Sequence, residues 1–132
     1  MKPKHRRTGI RIAVLLVIAA PLIVGLVHYQ RHTDLGIYFF QGSHYWFDKA
    51  RRAESADEAK DHLQRIVNAT QYGVNIAQNH VNSLDDASER LKMFTMLVEI
   101  APNKHWEKLY RLDVERQIEQ LESKRKGTQS DA

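Results

Sequence analysis

Residues 12–27 read IAVLLVIAAPLIVGLV, a stretch of 16 residues without a polar or charged side chain. Residues 12–30 contain no Lys, Arg, Asp or Glu, and a helix over these 19 residues would be roughly 28 Å long. That length matches the hydrocarbon core of a bilayer, and membrane helices tolerate residues such as Pro21 and Gly25. The pattern predicts a transmembrane helix over residues 12–30.

The rival interpretation of this segment is a cleaved signal peptide, which also combines a basic start with an apolar stretch. Two features argue against cleavage. The apolar stretch is longer than the usual length of about 7–15 residues. No pair of small residues at the required spacing closes it, because Pro21 directly follows Ala19-Ala20. We therefore predict a retained anchor, with a secreted helical protein as the less favoured alternative.

The formal net charge of +4 is concentrated at the N-terminus. Residues 1–11 carry five Lys and Arg and no acid, whereas the remaining residues carry 15 Lys and Arg against 16 Asp and Glu. We therefore expect no nucleic-acid partner. Arg31 is the only Lys or Arg between the span and Lys49. This asymmetry of positive charge predicts a cytoplasmic tip over residues 1–11 and a C-terminal domain outside. A bacterial inner membrane with a periplasmic domain is the favoured setting.

Aromatic residues are concentrated in a juxtamembrane segment, residues 31–54, directly after the predicted span. Six of the eleven aromatic residues fall within ten positions, and Gly36 and Gly42 argue against one unbroken helix. A short helix is expected from Ser43 to about Ala53. Two alternatives remain open for the rings: one end of the domain core, or contact with lipid headgroups or a membrane partner. The predicted contacts in the second case are Tyr29, Tyr38, Phe39, Phe40, Tyr45, Trp46 and Phe47.

The segment from Ser55 to Val81 is predicted to be one long helix. Ser55-Ala56-Asp57-Glu58 is a capping box. Apolar residues then recur every three or four positions, which gives one face of a helix of about seven turns. Gly73 is its weak point, at a cost of about 1 kcal/mol relative to alanine. His62 and His80 would lie on this helix about five turns apart, too far to share a metal ion.

Two further apolar faces follow this helix. The first begins after the cap residues and acids of residues 82–86 and ends at Pro102-Asn103. The second begins at Trp106, and the helix that carries it is expected to end in a left-handed cap at Gly127. Residues 128–132 are predicted to be a disordered tail.

The fold class follows from these periodicities. No segment alternates with a period of two residues, so we expect essentially no sheet. The sequence predicts an all-α protein, with one N-terminal transmembrane helix followed by a small three- to four-helix extracytoplasmic bundle over residues 55–127.

Few residues are arranged for chemistry. The absence of cysteine excludes thiol catalysis and Cys-ligated metal sites. The sequence contains no Gly-rich phosphate loop, no His-Glu-x-x-His and no nucleophile elbow. His28 and His32 are four residues apart and share a helix face, but two ligands do not fill a coordination shell. We predict no catalytic residue, cofactor or metal, with His28 and His32 as weak metal candidates.

These features favour a non-catalytic accessory or assembly subunit, held in the lipid bilayer by one span. Its helical domain would dock on an integral membrane partner within a larger complex. A membrane-tethered helical sensor or ligand-binding module is the alternative, although the eleven residues before the span would hold no output domain. An enzyme that uses the histidines ranks last. Co-purifying partners, a ligand-induced melting shift and bound metal, respectively, would distinguish the three.

Overall fold

A computed structural model describes residues 3–39 and 42–130 of the chain, and this part of the protein is all-α, without a strand. Its helices, in chain order, are α1 (Pro3–His32), α2 (Asp34–Phe39), α3 (Gly42–Arg52), α4 (Ala56–Ala69), α5 (Gly73–Asn82), α6 (Ala87–Ile100) and α7 (Lys104–Ser130). The expected all-α class is therefore confirmed.

Helix α1 differs from the others because its apolar side chains are not packed against protein. The segment Arg7–His32 is long and apolar enough to cross a membrane. The large apolar side chains between Ile10 and Leu26 are 52% to 72% exposed. Only the last turn of α1 reaches the rest of the protein, where it contacts α2 and α3.

Helices α2 to α7, which we call the body, pack around one hydrophobic core. The closest-packed pairs are α6 with α7 and α3 with α4. Leu63, Ile66 and Phe94 are completely buried, as is Tyr110, whose hydroxyl donates a 2.8 Å hydrogen bond to the carbonyl of Val74. Because this bond satisfies the only polar atom of the ring in the core, α7 is held against α5 without a buried polar group left unpaired.

Polar side chains tie the helices together at the edge of the core. The buried carboxylate of Asp113 accepts a 2.7 Å hydrogen bond from Gln78, which joins α7 to α5. The buried amide of Gln117 accepts a 2.7 Å bond from Arg90 of α6. Lys60 of α4 forms a 2.8 Å ion pair with Glu99 of α6. Buried polar atoms at these helix contacts are thus satisfied by the neighbouring helix.

The predicted starts of α4, α6 and α7 agree with the structure. Ser55 caps α4 and accepts a 3.2 Å hydrogen bond from the backbone N–H of Glu58. The Glu58 carboxylate reaches back to the N–H of Glu54 rather than to that of Ser55, so the capping box is shifted by one residue. Asp86 caps α6, and the side chain of Asn103 accepts from the N–H of Trp106 at the start of α7.

The single seven-turn helix predicted from Ser55 to Val81 is wrong, because the chain breaks after Ala69 and forms α4 and α5. Thr70 adopts an extended conformation, and its hydroxyl accepts a 3.1 Å hydrogen bond from the N–H of Tyr72. A Cβ at Gly73 would overlap the carbonyl oxygens of Ile66 and Val67. Glycine therefore allows α5 to fold back closely against the end of α4.

Three other expectations differ from the structure. The juxtamembrane segment forms α2 in addition to the expected short helix, so the described body has six helices, of which four, α4 to α7, begin within residues 55–127. Ser43 lies inside α3, where it is buried and cannot act as its cap. Gly127 does not end α7, which continues through Ser130. Residues 128–130 of the predicted tail are therefore helical, and residues 131–132 lie outside the described part.

Candidate functional site

The candidate site is the junction where the exposed helix α1 meets the body. A Cβ at Gly36 would overlap the carbonyl oxygen of Tyr29, and one at Gly42 would overlap that of Gln30. The two glycines thus let the backbones of α2 and α3 lie directly against the last turn of α1. Thr33, between α1 and α2, donates to the Tyr29 carbonyl at 2.6 Å and accepts from the Gly36 N–H at 2.9 Å. The junction is a tight packing of backbones without a flexible linker between α1 and α2.

Trp46 of α3 is the central side chain of this junction. Its indole N–H donates a hydrogen bond to the carbonyl of Arg31, one of the carbonyls that the end of α1 would otherwise leave without a partner. The ring is almost completely buried and lies 5.6 Å from the His32 ring and 5.5 Å from the His62 ring, between centroids. Trp46 therefore joins α1, α3 and α4.

Three cations surround the aromatic rings of α3. The guanidinium of Arg31 lies 3.9 Å from the centre of the Tyr45 ring, and that of Arg65 lies 4.5 Å from the centre of the Trp46 ring. The ammonium of Lys49 is 4.9 Å from the Tyr45 ring and 5.3 Å from the Trp46 ring. A hydrogen bond from Lys49 lowers the pKa of the Tyr45 hydroxyl. Each contact over a ring face contributes about 0.5–1 kcal/mol at an exposed position.

A cleft of about 480 Å³ opens beside this cluster, between the end of α1, the start of α2 and the middle of α4. Charges of both signs line it. The two guanidinium groups belong to Arg31 and Arg65, and the two carboxylates to Asp34 and Asp61. Buried Ile37 and Ala69 also line the cleft, together with His32, Gln64 and Asn68.

A second group of polar side chains lies deeper in the body, around His80 of α5. Its Nε2 is 2.9 Å from the hydroxyl of Ser43, and its ring stacks on Phe47 with 5.0 Å between centroids. The His44 ring meets it edge-on at 4.4 Å. Burial and the nearby His44 lower the pKa of His80 to about 4, opposed by the carboxylate of Asp48. His80 is therefore neutral at physiological pH.

The structure places the predicted contact residues in two environments. Trp46 and Phe47 belong to the core, which was one of the two alternatives for these rings. Tyr29 is 38% exposed and Tyr45 is partly exposed, so both rings reach the surface beside the junction. The side chains of Tyr38 and Phe39, and the whole of Phe40, lie outside the described part of the chain.

The histidines form ring contacts instead of an evident metal shell. The rings of His28 and His32, the weak metal candidates, stack with 4.5 Å between centroids. Within the described residues, no group of three or more His, Asp or Glu side chains could hold a metal ion. His62 and His80 do not share one helix as expected, because they lie on α4 and α5 and pack against Trp46 and Phe47.

Sequence reasoning missed Lys49, Asp61 and Arg65 as members of the site. Arg65 is 34 positions from Arg31, and only the packing of α4 against α3 brings the two together beside one cleft. On the sequence, Asp61 and Arg65 have the spacing of an ordinary pair of exposed charges on a helix. No local signal in the sequence identifies them as site residues.

Compared with models of protein families, with characterised proteins and with solved structures, the chain matches none. The function must therefore be inferred from its own residues.

Proposed function

We propose that this protein is a non-catalytic, single-pass membrane protein, an accessory or assembly subunit that docks its helical body on a larger membrane complex. The observation that carries the proposal is the contrast within α1, whose apolar side chains are exposed while its last turn is packed tightly on the body. A bilayer would cover the exposed part, and the packed part would hold the body at its surface.

The exposed apolar surface of α1 supports membrane insertion on energetic grounds. Eleven large apolar side chains from Ile10 to Leu26 are exposed, and they surround the helix without a polar face. Soluble monomers rarely expose contiguous apolar patches larger than a few hundred Å². A bilayer removes this surface from water, and the helix satisfies its own backbone hydrogen bonds there.

In this proposal the N-terminus is cytoplasmic and the body lies outside, in the periplasm of a bacterial inner membrane. The support is the asymmetry of Lys and Arg, with five before the apolar stretch and only Arg31 between that stretch and Lys49. The folded body adds Lys49 and Arg65 near the outer end. Because orientation responds to positive charge close to the span in sequence, we expect the tip to dominate.

The subunit role is supported by where the junction holds the body. No flexible linker separates α1 from α2, so the body would rest directly on the membrane, within reach of the exposed surface of a neighbouring integral membrane protein. Tyr29 and Tyr45 reach the surface at this level, where rings with one polar end are favoured. We propose that these two tyrosines contact the partner or the surrounding headgroups.

Membrane insertion and orientation are tested with single cysteines, since the chain has none of its own. We expect a Ser123→Cys variant in intact cells to react with a membrane-impermeant maleimide, and a Lys4→Cys variant to react only after lysis. Resistance of the full chain to alkaline carbonate extraction is the second expected result. Release of the chain into the aqueous fraction, with a mass reduced by the N-terminal segment, would instead establish the cleaved-signal alternative.

The subunit role is tested separately by purification in mild detergent and measurement of the mass of the complex. We expect a stoichiometric membrane partner that is lost when Tyr29 and Tyr45 are both changed to Ser. A Tyr72→Ser variant, which alters a tyrosine exposed on the loop between α4 and α5, is the control and should keep the partner. A monomer of the unaltered chain would refute the subunit role without affecting the membrane anchor.

A membrane-tethered ligand-binding or sensor module is the second candidate. The specific observation in its favour is the charged cleft of about 480 Å³, since ligand pockets of this size are common. A soluble ligand that raises the melting temperature of the purified full chain, together with no stoichiometric partner, would favour this function over the first.

A further inference from the structure

The charged cleft beside α1 lies at the level of the lipid headgroups, provided that α1 is the membrane anchor proposed above. The apolar stretch ends at Val27 and Arg31 follows four residues later, which places Arg31 about 6 Å further along the helix. The headgroup layer of one leaflet is about 5–7 Å thick. Arg31 and the cleft it lines are therefore at the depth of phosphate and amine groups, not in the aqueous phase.

The four charges of the cleft have no charged partner of their own. Among the residues that the structure describes, Arg31, Asp34, Asp61 and Arg65 form no side-chain ion pair within 4.0 Å. The two guanidinium groups lie over Tyr45 and Trp46, respectively. A guanidinium carries five N–H donors, so a contact with one ring leaves donors for an acceptor in the cleft.

The composition of the cleft selects among ligands. Two guanidinium groups and two carboxylates balance one another, and the His32 ring also lines the cleft. A ligand with one phosphate and nothing else would meet two carboxylates that repel it. A ligand that carries both a phosphodiester and a primary ammonium group offers an acceptor for each guanidinium and a donor for each carboxylate. A quaternary ammonium fits less well because it has no N–H to donate.

We propose that this cleft binds the headgroup of an aminophospholipid of the surrounding bilayer, of the phosphoethanolamine type. Arg31 and Arg65 hold the phosphate, and Asp34 and Asp61 accept hydrogen bonds from the ammonium group. The volume of the cleft is within the usual range for small-ligand sites. The lipid would thereby secure the start of α2 and the middle of α4 against the end of α1.

The test uses the full chain, reconstituted in vesicles with equal parts of phosphatidylcholine, phosphatidylethanolamine and phosphatidylglycerol. The protein is then extracted in mild detergent, and native mass spectrometry identifies the lipid retained. We expect about tenfold more phosphatidylethanolamine than phosphatidylcholine, because only the primary ammonium group can donate hydrogen bonds to the two carboxylates. Phosphatidylglycerol should be retained less than phosphatidylethanolamine.

Variants separate the two halves of the headgroup. Asp61→Asn should lose most of the preference for phosphatidylethanolamine over phosphatidylcholine, since the ammonium loses a charged acceptor. Arg65→Gln should lower retention of all three lipids, and Arg65→Lys should restore part of it. Matched controls are Asp85→Asn, in the loop before α6, and Arg125→Gln near the end of α7, both exposed and outside the cleft, which should behave as the unaltered chain.

Several results would overturn the inference. Equal retention of the three lipids, a preference for phosphatidylglycerol, or an unchanged preference in Asp61→Asn would each do so while leaving the anchor intact. Free O-phosphoethanolamine that raises the melting temperature of the delipidated chain as much as the lipid does would assign the cleft to a soluble phosphoamine instead. A chain that does not enter the vesicles would overturn both the lipid site and the proposed anchor.

Discussion

Helix α1 and the body contain similar apolar residues, but the body buries many of them and α1 leaves its own exposed. In the body, Leu63, Ile66, Phe94 and Leu97 are completely buried and the polar residues between them face water. In α1, apolar side chains occupy every face and are mostly exposed. The polar surface of the body is typical of a domain that folds in water, whereas the surface of α1 is typical of a helix long and apolar enough to cross a membrane. The two regions should respond to different perturbations.

The largest expected effect concerns the core of the body. Phe94→Ala should destabilise the body by about 3–5 kcal/mol, because it leaves a cavity at a fully buried position of α6. Urea unfolding of the full chain in mild detergent, followed by tryptophan fluorescence, measures this loss. The neighbouring exposed Thr95→Ala should cost less than about 1 kcal/mol. Membrane retention should be unchanged, and release from the membrane would contradict the separation of the two regions.

A change in α1 should instead affect membrane retention and leave the stability of the body unchanged. Leu22→Arg places a charge near the middle of the apolar stretch, at a cost of about 2.5–3.5 kcal/mol for insertion into a bilayer. We expect a smaller carbonate-resistant fraction, with urea unfolding of the body unchanged. Leu22→Val serves as the control and should remain in the membrane. Equal retention of Leu22→Arg and the unaltered chain would argue that lipid does not cover α1.

The body should also depend on pH through His80. Its pKa is about 4 in the folded protein and about 6.5 when unfolded, so between these values the unfolded state binds the extra proton. The contribution of His80 to the free energy of unfolding is therefore fully present above pH 6.5 and is lost as the pH decreases toward 4. We expect a loss of roughly 2 kcal/mol, after allowing for the partial exposure of the ring.

The variant His80→Gln isolates this contribution. Its free energy of unfolding should vary less between pH 6.5 and 4 than that of the unaltered chain, as measured by urea titrations at each pH. His105→Gln removes an exposed histidine and should keep the full pH dependence. The same slope in both variants would show that His80 is not the group responsible.

The smallest expected effect concerns the start of α4. Ser55→Ala removes the side chain that accepts from the Glu58 N–H and should cost about 1 kcal/mol. Ser55→Asp keeps an acceptor at the cap and should retain most of the stability in the same urea titration. A Ser55→Ala variant as stable as Ser55→Asp would mean that the cap contributes nothing.

The comparison also explains what the sequence predicts well. The apolar stretch of α1, the cap at Ser55, the start of α6 after residues 82–86 and the boundary at Pro102 depend on neighbouring residues in the chain, and the structure agrees with each. These features were predictable because the physical cause lies within one turn of helix.

The features that were missed depend on packing between distant segments. The periodicity across Ile66, Thr70 and Val74 is continuous, yet the chain turns there because Gly73 fits against the end of α4. The charged cleft likewise requires α4 to pack beside α1, which periodicity does not encode.

The end of α7 was missed for a different reason. Gly127 remains helical in open surroundings, where no side chain lies within 4 Å of a Cβ placed on it. A glycine costs only about 1 kcal/mol within a helix and need not end it.

The absence of a flexible linker between α1 and α2 has a mechanical consequence. A 30-residue helix is about 45 Å long, so a tilt of about 20° displaces one of its ends sideways by about 15 Å. Because Trp46 and the two glycines pack the last turn of α1 against α2 and α3, the body would move together with that helix. If α1 spans a bilayer, a thinner membrane that increases the tilt of α1 would therefore also tilt the body relative to the membrane surface.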